Sequence, residues 1–391
     1  MMRSSLVTYC LVVAAIIANV VAVASPTDII RSFSDKDYGT TFNHLVVDKN
    51  TGRVYVGAVN RLYQLSPDLE LVVSEQTGPK MDSDDCSVLE CHNTKNKKLT
   101  DNVNKALVID YTTTRLIACG SLFQGICTVR NLQNISDGAI EIREAVVPNN
   151  ATASTVAFIA PGPPHPPVSQ VMYVGVTFTL GSYRSEVPAV SSRSLDKDKM
   201  FAIAQTAVTT GTRMFVNSLA RERYPITYVY GFASGGFSYF LTTQMQHTSY
   251  SQFISKLVRV CHDDENYYSY TEIPINCTTE GRNYSLVQAA YVGKAGSDLA
   301  SDLGITAQDD VLFAVFSESD KIVMNKPSNF SALCVYSLKA IRRKFMENIK
   351  TCFSGKGQRG LDFISPSHAC VLTVSNMYIF CFKKVHASCS S

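Results

Sequence analysis

The sequence predicts an all-β fold in which small antiparallel sheets stack around an axis, as they do in a β-propeller. An internal repeat is the first observation behind this prediction, because the stretch from Leu45 to Leu65 recurs from Leu107 to Cys127, with Asp48 aligned to Asp110. The second observation is that each unit is filled by short runs of Val, Ile, Tyr and Phe separated by turn residues, which is typical of strands.

The first repeat predicts a compact meander. Thr41 to Val47 reads as one strand, Asp48 to Gly52 as a turn, Arg53 to Ala58 as a second strand and Arg61 to Ser66 as a third. A single meander cannot bury its faces alone, so repeated units must stack to build a core. Radial stacking of four-stranded sheets is a β-propeller. A β-sandwich is the alternative, but it predicts no repeat of this length.

Later parts of the chain continue the same pattern. Weaker echoes at Val171 to Val176, Thr227 to Phe232 and Val311 to Phe316 read as strands that are buried on both faces. Helical periodicity is confined to Ser337 to Lys350, where apolar residues recur at a spacing of three and four. We therefore expect one amphipathic helix among the strands.

The N-terminus predicts entry into the secretory pathway. Arg3 precedes an apolar run from Leu6 to Val23, and a small-x-small cleavage signal ends at Ala24, so residues 1–24 read as a signal peptide. An uncleaved membrane anchor is the alternative. No later run approaches the roughly 20 apolar residues that a membrane span needs. The mature chain is expected to be extracellular and secreted.

Cysteine content and sequons agree with an oxidising compartment. Cys10 leaves with the signal peptide, and the cysteines that remain of the twelve should pair, with one left over. The net charge of the chain is close to zero, so the sequence does not predict a basic surface for nucleic-acid binding. Five Asn-x-Ser/Thr sequons predict N-glycosylation, at Asn134, Asn150, Asn276, Asn283 and Asn329.

Signatures of catalysis are absent from the sequence. Neither His-Glu-x-x-His nor Gly-x-Ser-x-Gly occurs, and the glycine pattern from Gly355 to Gly360 does not connect a strand to a helix. The run from Cys261 to Asp264 is more typical of an acidic loop beside a disulfide than of a metal site. We expect no enzyme activity, no cofactor and no metal.

Several stretches resemble the sema domain of plexins, and together they are spread over most of the chain. The resemblance implies a seven-bladed sema-type propeller, of which this chain would form an incomplete ring of about five blades. It implies a partial sema domain over residues 25–373 and a divergent tail over residues 374–391. The stretches are Phe42 to Leu65, Cys119 to Cys127, Tyr183 to Arg193, Tyr228 to Leu241, Gln288 to Ala300 and Gln308 to Ser317.

The resemblance also implies which cysteines pair. These disulfides would stabilise the fold by restricting the conformations of the unfolded chain. The implied pairs are Cys86 with Cys91, Cys119 with Cys127, Cys277 with Cys334 and Cys352 with Cys370, and Cys261 would pair with a later cysteine, for which Cys381 lies at about the expected place.

The partner that the resemblance implies is a semaphorin. Tyr183, Arg184 and Glu186 match a Tyr-Arg-x-Glu run in the contact region of the family, and Ser185 replaces an acidic residue often found there. A changed charge at a rim alters partner preference. Phe201 is either an aromatic anchor of the interface or the start of a core strand.

The implied function is that of a semaphorin-binding extracellular module of a cell-surface receptor. In the full-length family this module serves axon guidance and cell-migration signalling at the plasma membrane, and self-association of plexin chains is a further possibility. The alternative is a truncated soluble decoy, or a non-functional fragment, that does not signal.

Overall fold

The computed structural model of the chain describes residues 30–365, except 37, 90, 92–93, 164–168, 182, 185–186, 207–209, 248–249 and 357–362. The expected signal peptide and the tail from residue 374 lie outside the described residues. Five sheets follow one another along the described chain, together with two small hairpins.

The first two sheets are four-stranded antiparallel meanders. The three strands predicted in the first repeat each begin and end within one residue of their predicted bounds, and the fourth strand of this sheet was not predicted. The first sheet contains β1 (Phe42–Val47), β2 (Val54–Ala58), β3 (Arg61–Leu65) and β4 (Leu71–Gln76). A hairpin of β5 (Lys80–Asp82) and β6 (Lys98–Thr100) follows it. The second sheet contains β7 (Asn104–Asp110), β8 (Arg115–Gly120), β9 (Cys127–Asn131) and β10 (Ile140–Ile142).

The third and fourth sheets keep the same antiparallel order. The third contains β11 (Thr155–Gly162), β12 (Ser169–Val176), β13 (Val190–Ser194) and β14 (Arg213–Val216). The fourth contains β15 (Thr227–Ser234), β16 (Phe237–His247), β17 (Tyr250–Cys261) and β18 (Thr271–Ile275).

The fifth sheet has three strands and carries both α-helices of the described chain. A hairpin of β19 (Cys277–Thr279) and β20 (Arg282–Tyr284) precedes it. Its elements are β21 (Leu286–Lys294), α1 (Gly296–Leu303), β22 (Asp310–Ser319), β23 (Pro327–Ser337) and α2 (Leu338–Phe353). After α2, the short strand β24 (Ile364–Ser365) returns to pair with β14 of the third sheet.

The sequence repeat corresponds to a repeated turn. Asp48 directly follows β1, and its carboxylate accepts hydrogen bonds from the amide two residues on and from the hydroxyl of Thr51, at 3.0 and 2.5 Å. Asp110 ends β7 and makes the same two bonds, with Thr113 in the place of Thr51, at 2.9 and 2.5 Å. Both aspartates are buried. The alignment of Asp48 with Asp110 therefore marks equivalent turns in successive sheets.

Sheets stack side by side through their first strands. Strand β7 contacts β1 and β11, and β15 contacts β11 and β21, so the first strands follow one another in chain order. Apolar clusters fill the space between successive sheets, as Tyr55 and Ile109 do between the first two. The fold is the predicted all-β arrangement of antiparallel sheets stacked side by side, as in a β-propeller.

Helix α2 confirms the helix that the periodicity predicts, whereas α1 was not predicted. The hydroxyl of Ser337 accepts a hydrogen bond from the amide of Ala340 at 3.3 Å and caps the N-terminus. Leu338 and Phe345 are fully buried against the fourth and fifth sheets. Neither helix in the described ranges has the length and apolar character needed to cross a membrane.

The outward faces of the first and last sheets expose apolar side chains. On the first sheet, Leu45 is 68% exposed on the face opposite the one that packs on the second sheet. On the fifth sheet, Tyr291 and Leu333 are 65% and 63% exposed on the face opposite the fourth sheet. These two faces bound the stack of sheets.

Candidate partner-binding site

The predicted contact run lies in the connection between β12 and β13, at one end of the third sheet. Tyr183 is 42% exposed, whereas Arg184 beside it is 2% exposed. Ser185 and Glu186 lie outside the described residues. Only Tyr183 among the four is thus described with a side chain that is open to a partner.

Arg184 links the third sheet to the second sheet through hydrogen bonds. Its guanidinium donates hydrogen bonds to the backbone oxygens of Gln124 and Val147, at 2.7 and 2.9 Å. Burial, and secondarily the charge of Arg193, lowers the pKa of Arg184 to about 10, so the side chain stays protonated at neutral pH. The expectation that Arg184 contacts a partner directly is therefore wrong for this structure, since the side chain is used inside the fold.

Gln124 is a buried residue whose hydrogen bonds connect neighbouring loops, a role that the sequence did not predict. Its side-chain amide nitrogen donates to the backbone oxygens of Asp84 and Cys86, at 2.9 and 2.7 Å, while its side-chain oxygen accepts from Asn149 at 3.1 Å. Gly125 follows with φ of 81°, and a Cβ there would lie 1.7 Å from a backbone oxygen. The glycine-flanked hairpin thus connects the Cys86 loop with the loop that carries Tyr183. In the sequence, the only sign of this connection is the Gln-Gly dipeptide in the hairpin.

Phe201 is a core residue. Its side chain is fully buried in a cluster that includes Met172 and Val174 of β12. Its backbone has a φ of 63° and is held by hydrogen bonds to Ser194 and from Arg193. Phe201 is buried as the core interpretation expects, but it lies in a turn and does not start a strand. The interpretation of Phe201 as an exposed anchor is wrong for this structure, because no part of the ring is open to a partner.

The two segments predicted to form the interface lie at opposite ends of the third sheet. Gly175 pairs with Val190 near the Tyr183 loop, and Val171 pairs with Ser194 at the other end, before Phe201. The strand between them has five residues, a length of roughly 13 Å. The structure does not bring Tyr183 and Phe201 into one contact surface.

Other side chains lie at the same end of the third sheet as Tyr183, and together with it we call them the Tyr183 surface. The guanidinium of Arg221 lies 5.6 Å from the ring centre of Phe178, and Leu180 is 69% exposed. The Nε atom of Arg221 has no hydrogen-bond partner among the described residues. Phe178, Arg221 and Phe215 line one narrow cleft. Aromatic residues and arginine are enriched in protein interfaces. The Tyr183 surface consists of Phe178, Leu180, Tyr183, Phe215 and Arg221.

The structure contains three of the disulfides that the resemblance implies. Cys261 and Cys352 are also disulfide-bonded. Their expected partners, Cys381 and Cys370, lie outside the described residues, so these two pairings stay predictions. The bridges are Cys86–Cys91, Cys119–Cys127 and Cys277–Cys334.

Groups that could suggest a metal site are used structurally. Asp82 lies close to Cys86 and Cys91, but the two sulfur atoms are bonded to each other. Asp264, in the run that follows Cys261, accepts hydrogen bonds from the amide and the hydroxyl of Ser269, both at 2.6 Å. Neither group offers a free set of metal ligands.

Four of the five sequon asparagines are exposed, and Asn134 is half-buried. Glycosylation at these residues stays a prediction. The exposed asparagines are Asn150, Asn276, Asn283 and Asn329.

Comparisons with known proteins agree with the geometry. The family model described as "Sema domain" matches residues 287–375. Plexin-A4 of Homo sapiens is 37% identical over 360 residues, which cover 86% of this chain and 19% of that protein. Plexin A3 of Danio rerio is 37% identical over 361 residues, with the same shares covered. The chain carries a plexin-type sema domain.

Solved structures place the sema domain in the same fold. The full extracellular region of plexin A4 matches with a TM-score of 0.75 and 35% identity, over 86% of this chain and 40% of that chain. Drosophila Semaphorin 1a matches with a TM-score of 0.51 and 18% identity, over 78% of this chain and 55% of that one, which is a likeness of fold. The chain spans about a fifth of the length of the curated plexins that it matches.

Proposed function

We propose that this sema domain is the extracellular semaphorin-binding module of a plexin-type cell-surface receptor, and that the Tyr183 surface contacts the semaphorin. The single observation that carries the proposal is the similarity to plexin extracellular regions over 86% of the chain. The Tyr183 surface adds local support, because Leu180 and Tyr183 are exposed in the same loop as Phe178, whose ring lies 5.6 Å from the guanidinium of Arg221. In a full-length receptor, semaphorin binding would serve axon guidance and cell migration.

Binding of a semaphorin panel to the secreted chain tests this function. Residues 25–391 are expressed in mammalian cells behind a secretion leader, and the monomer is isolated and measured by surface plasmon resonance. We expect saturable binding to at least one semaphorin, and a loss of about tenfold in affinity, about 1.4 kcal/mol, for Tyr183→Ala. Tyr291→Ala is the matched control, because Tyr291 is an exposed tyrosine on the fifth sheet.

The second candidate is a soluble decoy or a non-functional fragment. The exposed apolar faces of the first and last sheets favour a fragment that self-associates. A monomer that binds a semaphorin and competes with a full-length plexin on cells would be a decoy. A monomer with native disulfides that binds no semaphorin would refute the proposed function.

A further inference from the structure

Two sequons meet at the hairpin formed by β19 and β20. Asn276 immediately precedes β19, and Asn283 lies on β20 directly opposite Thr278. The side-chain nitrogen Nδ2 of Asn276 donates a hydrogen bond to Oδ1 of Asn283 at 2.7 Å. The two amides that could each accept an oligosaccharide are therefore in direct contact.

The two amides differ in how many of their hydrogens are used. The Nδ2 atom of Asn276 also donates to the hydroxyl oxygen of Thr278 at 3.2 Å, so both of its hydrogens are engaged. Asn283 accepts through Oδ1, and its Nδ2 donates to no group among the described residues. An N-linked sugar replaces one amide hydrogen, so a sugar on Asn276 breaks one of these bonds, whereas a sugar on Asn283 leaves both in place.

The backbone around Asn276 is also held more tightly. Its carbonyl oxygen accepts a hydrogen bond from the hydroxyl of Tyr336 at 2.7 Å, and the next residue, Cys277, is bonded to Cys334. Both partners belong to β23, so the Asn276 sequon is fixed against the fifth sheet. Asn283 instead follows the turn at Gly281, and its side chain is exposed.

We propose that the two sequons form one modification site, in which Asn283 carries a single N-linked oligosaccharide and Asn276 of the same molecule stays unmodified. In the transfer, the Asn283 amide nitrogen bonds to the anomeric carbon of an oligosaccharide donor linked to a lipid pyrophosphate. The amide loses one proton, and the lipid pyrophosphate leaves. Asn276 is the disfavoured acceptor whether or not Asn283 is modified, because a sugar on its Nδ2 would break its hydrogen bond to Asn283 or to Thr278. This inference does not depend on semaphorin binding.

Isotope labelling of one peptide tests the proposal. The full chain is secreted from mammalian cells, and glycosylated molecules are selected on a lectin column. Enzymatic removal of the glycans in heavy-oxygen water converts each glycosylated asparagine into a labelled aspartate. After reduction, chymotrypsin releases residues 271–284, which contain both asparagines and no internal aromatic residue or leucine.

The expected result is one labelled aspartate per peptide, at residue 283. Label at both residues of one peptide, at residue 276 alone, or at neither residue would overturn the proposal. Two sequon variants give an independent readout by intact mass. Thr278→Val removes the Asn276 sequon and should leave the number of glycans unchanged, while Ser285→Ala removes the Asn283 sequon and should remove one glycan. The reverse pattern would also overturn it.

Discussion

At the scale of single residues, Tyr183 and Arg184 are neighbours in the chain with opposite surroundings. The run that contains them could be located from sequence, because it resembles a family motif. Which of the two side chains is exposed could not be predicted, because burial of Arg184 depends on the backbone oxygens of Gln124 and Val147, 60 and 37 residues away. The same reason applies to Phe201, whose cluster partners come from β12.

Replacing Arg184 should destabilise the fold. Arg184→Met leaves two buried backbone oxygens without their charged donor, so we expect the free energy of unfolding to fall by about 2–4 kcal/mol. Urea denaturation measures the change. Tyr183→Phe is the control and should leave the unfolding transition in place. An unchanged urea midpoint for Arg184→Met would show that the hydrogen bonds from Arg184 to the second sheet do not stabilise the fold.

Lys105 should make stability depend on pH. It is 6% exposed, and its ammonium donates to the backbone oxygens of Ala151 and Ala153 at 2.9 and 2.5 Å. Burial lowers the pKa of Lys105 from 10.5 to about 8. Between these values the unfolded chain binds more protons than the folded chain, so the free energy of unfolding should rise with pH from about 8 to 10.5.

The contribution of Lys105 is isolated by Lys105→Met. The variant should show a smaller increase in the free energy of unfolding over the same pH range, because methionine does not titrate. Denaturation curves at several pH values between 8 and 10.5 give the two slopes. Equal slopes in the variant and the parent would mean that Lys105 keeps its ordinary pKa in the folded state.

At the scale of elements, the sequence predicted most of what local pattern encodes. The strands of the first repeat, the turn at Asp48 and the helix after Ser337 were all predictable, because alternation, turn residues and helical periodicity are short-range signals. The return of β24 to the third sheet was not, because a strand of two residues has no period of its own. The opposite placement of Tyr183 and Phe201 follows from the direction of β13, which sequence alone did not provide.

The disulfides should differ in their contribution to stability according to loop length. Cys119–Cys127 closes a sequence separation of 8, whereas Cys277–Cys334 closes one of 57. The loop-closure model gives about 2.5 kcal/mol for the shorter loop and about 4 kcal/mol for the longer one. Paired Cys→Ser variants compared by chemical denaturation should follow this order. The reverse order would mean that local packing, and not restriction of the unfolded chain, determines their contributions.

At the scale of the whole molecule, the sheets stack through apolar clusters, and the first and last sheets leave apolar faces exposed. Leu45 and Leu333 lie on these two faces. Exposed apolar sheet faces favour association. We expect Leu45→Lys combined with Leu333→Lys to raise the monomer fraction in sedimentation velocity. Leu219→Lys is the control, since Leu219 is 90% exposed but lies outside the strands. An unchanged monomer fraction in the double variant would contradict this expectation.

Hydrogen exchange with and without a bound semaphorin ectodomain tests most directly whether the third sheet presents the Tyr183 surface to this partner. Peptides that cover residues 177–189 and 213–221 should exchange more slowly in the complex, and those of the hairpin at residues 277–284 should not change. Protection confined to residues 195–206, at the opposite end of the third sheet, would contradict the account, as would the absence of protection in a saturated complex.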